Sequence, residues 1–146
     1  MNTDQSVLPD LVEDHDGLQV LRKDTEHMRG WNGIRYQQGL SGRNCNAKNL
    51  SINVATVPPG AIAYAHIHDG FEVMLYIVQG TVRHDFGPNL EHSVVNSAGD
   101  FIFIEPGVAH EVFNIGDGPL VAFVARSTAD EWDKIVDVPS KHRPKN

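Results

Sequence analysis

Four side chains in the middle of the sequence have the types and spacing to hold a cation. His66 and His68 stand two apart, and on an extended strand such residues leave the same face roughly 6–7 Å apart. Two imidazoles so placed can both reach one ion at ~2 Å from each nitrogen. Glu72 shares their parity just beyond the Asp69-Gly70 turn, so the following strand can bring its carboxylate to the same point. His110 follows the Pro106-Gly107 turn and can arrive from elsewhere in the fold. Three neutral imidazoles and one carboxylate bind a first-row divalent metal, with Fe, Mn, Ni, Cu and Zn all compatible, and leave positions open for water, oxygen or substrate. A single histidine on an apolar face is ordinarily a hydrogen-bonded core residue. Two of them beside Ala63, Ala65 and Tyr64 would be costly to bury without a metal or strong partners. Glu72 lies in an apolar run, where a carboxylate needs a cation. If able to leave the metal, it is also the natural proton acceptor and hence the candidate catalytic residue.

The elements that must position these groups read as short strands. Asn49–Val57 alternates, Pro58-Pro59-Gly60 breaks the ladder, and Ala61–His68 alternates again with Ile62, Tyr64, His66 and His68 on one face. Phe71–Gln79 is apolar on both faces, as suits a strand central to a barrel or sandwich. Further strands are expected at Thr81–Phe86, Glu91–Asn96, Asp100–Glu105, His110–Asn114 and Leu120–Arg126, separated by Gly/Pro/Asn turns. About ten short strands between residues 31 and 126 suit an all-β, two-sheet jelly roll or small barrel. Residues 1–30 read as an acidic arm with some extended or helical structure. In residues 127–146, Thr128 followed by Glu131 predicts a capping box and a short helix to Ile135; Pro139 ends it, and Lys141–Asn146 are expected to fray.

Composition excludes several classes. The 146 residues carry 12 Lys+Arg against 19 Asp+Glu, a net charge of −7, which disfavours nucleic-acid and anionic-membrane partners. Seven acids and three bases fall in residues 1–30, so most of the acidity lies outside the candidate site. Cys45 is the single cysteine, and with no basic n-region or apolar h-region at the N-terminus a cytoplasmic protein is expected. No run approaches the ~18 apolar residues of a membrane span.

The sequence resembles the cupin superfamily. The first cupin motif runs Gly, five residues, His-x-His, three or four residues, Glu, six residues, Gly, and Gly60, His66, His68, Glu72 and Gly80 match in order. Seven residues rather than six separate Glu72 from Gly80, a departure that implies a bulge. Gly99, Gly107, His110 and Asn114 fit the second motif, with its proline displaced by one to Pro106. The motifs span residues 60–114, and the strand pattern extends the likeness to roughly 45–126. The resemblance implies a double-stranded β-helix with His66, His68, Glu72 and His110 as metal ligands. A Glu72 turned outward would leave a three-histidine site, as some cupins have.

Tyr64, Met74, Tyr76, Val112 and Asn114 share parity with these residues and are candidates to line a substrate pocket, as is Phe123 on the last strand. Either Phe101 and Phe103 or Ile102 and Ile104 face it too. His84 reads as a surface or edge histidine, with a role as a base near the metal as its alternative. His15, His27, His92 and His142 read as solvated. Arg35, Arg83 and Arg126 are the arginines near strands that an anionic substrate would need. The function implied is a metal-dependent, dioxygenase-like oxidoreductase resembling quercetin dioxygenase. The alternatives are a metal-dependent isomerase or lyase, and a non-catalytic cupin that binds a small ligand. A homodimer through edge strands is expected, with a small molecule as the other partner.

Overall fold

The computed structural model describes residues 12–22, 28–31, 34–130, 132 and 134–144. Among them there are thirteen strands and no α-helix. A hairpin, β1 (Val12–His15) and β2 (Leu18–Leu21), turns at Asp16-Gly17, and Gln19 Oε1 accepts the Asn46 N–H to dock it on the loop of residues 41–50. β3 (Met28–Trp31), β4 (Ile34–Leu40), β5 (Ser51–Val57), β7 (Val73–Gln79), β10 (Phe101–Ile104) and β12 (Leu120–Arg126) form a six-stranded sheet ordered β10-β7-β12-β5-β4-β3. β6 (Ile62–His68), β8 (Thr81–Phe86), β9 (His92–Ser97), β11 (His110–Asn114) and β13 (Ile135–Asp137) form a five-stranded sheet ordered β13-β6-β11-β8-β9. Every ladder is antiparallel. From β5 to β13 the chain passes back and forth between the sheets, the β8–β9 hairpin excepted, so it winds a jelly roll and the core is the space between two inner faces.

Strict alternation sets most of that core. β12 buries Leu120, Ala122 and Val124 inward, and β7 buries Val73 and Ile77. Two irregularities decide the site. Between β6 and β11 the pairing runs His66↔His110 but Ala63↔Val112, so β6 carries an extra residue and bulges at Tyr64-Ala65. The bulge frees the Ala65 N–H, which donates to the buried Glu111 carboxylate. The second is Gly80, the turn between β7 and β8. Its φ is +98°, and a Cβ there would lie 2.8 Å from the Pro119 carbonyl, so only glycine fits.

The C-terminal segment departs from expectation. Residues 127–130 form turns in which the Thr128 hydroxyl accepts from the Asp130 N–H, and Ile135–Asp137 pair with β6 as β13 instead of continuing a helix. Glu131, the other half of the expected capping box, lies outside the described residues. The segment thought to fray is tied down. Ser140 donates to Glu111, and Arg143 reaches the Ala65 and Val138 carbonyls at 2.9 and 2.8 Å. The edge of β6 and the Glu111 carboxylate beside it offer this segment partners that a single helical turn lacks. At the other end β3 starts at Met28, inside the stretch read as an arm; Val7, Leu8 and His27 lie outside the described residues. No helix among the described residues is long and apolar enough to cross a membrane.

Candidate metal centre

β6 and β11 bring three histidines to one point. His66 and His110 are direct partners across the ladder, and His68 follows two residues beyond His66 on the same inner face. The Gly107 N–H donates to the His68 carbonyl at 2.9 Å, which fastens the Pro106-Gly107 turn and delivers His110. The three rings pack with centroids 4.4–5.0 Å apart, and one nitrogen from each lies within 4.8 Å of the others. All three side chains are buried.

Their hydrogen bonds point them the right way. His66 Nδ1 lies 2.7 Å from the Tyr64 carbonyl and His110 Nδ1 2.9 Å from the Val108 carbonyl. A carbonyl only accepts, so each Nδ1 carries the proton and each Nε2 keeps its lone pair for the cluster. His68 Nδ1 is buried with no hydrogen-bond partner among the described residues. Burial pushes all three rings well below the ordinary value of 6.5, to about 4 for His66, about 2 for His68 and about 3 for His110, with mutual repulsion lowering His68 and His110 further. They are neutral at pH 7. Three neutral, converging imidazoles with little other hydrogen bonding are a donor set that fits a divalent transition metal.

Glu72 does not join them. It is exposed, just outside β7, and its neighbours Phe71 and Val73 are the residues that point inward. Its backbone is held in that orientation by Ser127, whose Oγ accepts the Glu72 N–H at 2.8 Å while the Ser127 N–H donates to the Glu72 carbonyl. The expectation of a carboxylate ligand and catalytic base at Glu72 is therefore corrected. The same parity error moves Met74 and Tyr76 to the outer face, where they are exposed. Phe123, paired with Tyr76, is outside as well. Tyr64 is removed from the inner face by the β6 bulge and packs under Arg143, 5.7 Å away. Asn114 is structural: its amide donates to the Val57 and Gly118 carbonyls. Val112 does line the cavity, and of the β10 pairs Ile102 and Ile104 turn inward.

Three further groups lie in the site: Val73, which the sequence reading does not name, and Arg126 and His84, which it names only as one candidate among several and as an alternative. Val73, 2% exposed, faces the histidines from β7. Arg126, directly across the ladder from Val73, is buried in the same cavity, donates to Asn53 and lies near the Tyr36 ring. Burial raises the Tyr36 phenol to about 12. His84, read as an edge residue, is 4% exposed. The inner cavity these residues share is small, about 60 Å³, and no carboxylate lines it among the described residues. It meets an outer cavity of about 440 Å³ at His84, Ile104 and His110.

The cupin domain family model matches residues 53–126. The chain belongs to the cupin family. This cupin is 31% identical over 94 residues to the auxin-binding protein ABP19b of Prunus persica, covering 63% of the chain and 45% of that protein. It is 30% identical over 102 residues to germin-like protein 8-14 of Oryza sativa subsp. japonica, covering 68% and 46%. The chain thus spans less than half the length of these two relatives. Among solved structures, a predicted oxalate decarboxylase from Thermotoga maritima superposes with a TM-score of 0.64 at 21% identity, over 75% of this chain and 98% of that one. The oxalate decarboxylase of Lactobacillus farciminis, in a formate complex, gives 0.70 at 19%, over 81% and 35%. At these identities the likeness is one of fold. Seven residues separate Glu72 from Gly80, and the extra one shows as the expected bulge: β7 pairs Gln79 with Val121 but Ile77 with Ala122, leaving Val78 unpaired between them.

Proposed function

We propose that this cupin holds one divalent transition metal on His66, His68 and His110 and acts as a dioxygenase-type oxidoreductase on a small oxygenated molecule. The convergence of three buried, neutral imidazoles on one point of the inner cavity carries the reading. Such an ion, when bound, supplies a fixed positive charge and redox or Lewis-acid chemistry at that point. The chain's own residues supply the surroundings. Val73, Leu75 and Val124 exclude water, the Tyr64 and Val108 carbonyls hold two rings in register, and Arg126 adds a permanent positive charge. A second reading, a decarboxylase or lyase acting on a small carboxylate, is favoured by Arg126 in a cavity that no carboxylate lines. The named oxalate decarboxylases among the structural neighbours are compatible with it.

Protein reloaded with Fe, Mn or Zn and offered a panel of small enols, phenols and carboxylates separates the readings. Oxygen uptake that disappears in His66→Ala supports the first, and carbon dioxide release without oxygen uptake supports the second. Ligand-induced stabilisation with no turnover of any kind would make the protein a binding module.

We also propose a homodimer and a cytoplasmic setting. The outer face of β10-β7-β12 exposes Phe101 (81%), Met74 (57%), Tyr76 and Phe123 side by side, and β10 is a sheet edge. A second copy covering that face would remove a large apolar patch from water. Light scattering should give twice the chain mass for wild type and a single chain mass for Phe101→Lys; a monomeric wild type contradicts the dimer. The single cysteine suits a reducing compartment.

A further inference from the structure

His84 is the one buried histidine outside the three-membered cluster among the described residues. It comes from β8, where Val82, His84 and Phe86 face inward, and it sits opposite Val112 on β11 and Val94 on β9. Its ring centroid is 6.5 Å from that of His110, against 4.4–5.0 Å within the cluster, so it stands one small molecule's reach from the centre. Both ring nitrogens are buried and neither has a hydrogen-bond partner among the described residues. A neutral imidazole carries one donor and one acceptor, and a fold leaves both unsatisfied only where something else is to meet them.

The surroundings say what that is. His84 lies at the junction of the inner and outer cavities and lines both. The outer cavity's volume, about 440 Å³, falls among those of small-molecule sites. Its walls are largely apolar (Phe86, Val94, Ile102, Phe103 and Val108); its polar side chains are His84 and His110 at the deep end and His92 and Glu105, both exposed, at the rim. An occupant needs an apolar body and an oxygen function at its deep end.

We propose that the outer cavity binds a compact, largely apolar phenol, enol or ketone, and that His84 hydrogen-bonds its oxygen and aims it at the three-histidine centre. The inference rests on the proposed function for what lies at that centre, but not for the contact itself. His84 is a positioning residue here; the ligating role stays with His66, His68 and His110.

Fluorescence titrations with 2-naphthol and naphthalene, on metal-free and Zn²⁺-loaded protein, test this without any turnover. Wild type should bind 2-naphthol roughly tenfold more tightly than naphthalene, the effect of one satisfied buried hydrogen bond. His84→Phe should bring 2-naphthol down to the affinity of naphthalene and leave naphthalene within about twofold. His84→Gln, which keeps a donor, should restore most of the preference, and it also serves if the phenylalanine variant folds poorly. Equal preference in wild type and both variants, or no binding of either probe, would overturn the proposal. Loss of the metal equivalent in His84→Phe would overturn it too, by making His84 a ligand. The two readings fail separately. A wild type that takes up no metal yet shows the His84-dependent preference refutes the metal centre and keeps this site. One that takes up metal without the preference does the reverse.

Discussion

The two sheets of this cupin divide the labour unequally. The five-stranded sheet presents His66, His68, His84 and His110 to the interior from β6, β8 and β11. The six-stranded sheet answers with Val73, Leu75, Ala122 and Val124, and with one ionic group among the described residues, Arg126. One face carries the imidazole nitrogens that could hold an ion, and the other is a largely apolar wall. The difference traces to local backbone. On β6 a bulge shifts parity so that both histidines and Ala63 point inward; on β7 the bulge comes only at Val78, and alternation from Phe71 to Ile77 turns Glu72 out. The candidate metal centre is thus built on one sheet and shaped by the other.

Several measurements break or sharpen that contrast, the largest effect first. Zn²⁺ at about a thousand times its Kd should stabilise wild type by about 4 kcal/mol, because only the folded chain holds the site. His110→Ala should lose nearly all of that gain. Val73→Ala on the opposite wall should keep it while lowering the stability of the metal-free protein by about 1–3 kcal/mol, the cost of a cavity. Equal metal responses in the two variants, followed by thermal unfolding, would erase the division between sheets.

The metal-free protein should also lose stability as pH falls. His66 and His84 are lowered to about 4, His110 to about 3 and His68 to about 2, in each case chiefly by burial. Below pH 6.5 the unfolded chain takes up protons that the folded chain refuses, so the contribution is complete above 6.5 and declines toward the folded values. Each histidine removes up to about 1.4 kcal/mol per pH unit in that window. Urea midpoints between pH 7.5 and 5 should show it, and bound Zn²⁺ should steepen the loss by competing for the same nitrogens. A flat profile would mean that these rings are solvated.

Arg126→Met tests the one charged feature of the six-stranded wall. Affinity of the Zn²⁺-loaded protein for formate, read by calorimetry, should fall about tenfold with metal content unchanged. Unchanged affinity would remove Arg126 from ligand binding and weaken the decarboxylase reading. The smallest effect is expected at Glu72→Gln, with metal stoichiometry and any turnover within about twofold of wild type. A tenfold loss there would restore Glu72 to the site.

What the sequence made legible follows from what periodicity can carry. Strand positions, the all-β architecture and the three histidines come from period-two patterns and fixed spacings, and His66, His68 and His110 do meet. Parity beyond a bulge or a tight turn is a different matter, since one extra residue exchanges inside for outside. Tyr64 was misplaced by the bulge, and Met74 and Tyr76 by carrying the histidine parity across the Asp69-Gly70 turn. The seven-residue gap before Gly80 signals an irregularity in β7, which the structure has as a bulge at Val78. His84 was legible in the Val82-His84-Phe86 alternation, with Arg83 and Asp85 paired on the other side at 3.1 Å. Arg126 was not, because its burial depends on Asn53 and Tyr36 from distant strands. The C-terminal strand likewise depends on β6 offering an edge, which no local propensity records.

Elemental analysis of protein purified without added metal tests the central claim most directly. The account expects one equivalent of a first-row divalent metal per chain in wild type and Glu72→Gln, and less than about a tenth of that in His66→Ala. Wild type that binds no metal even after reloading, or His66→Ala that keeps a full equivalent, would contradict it.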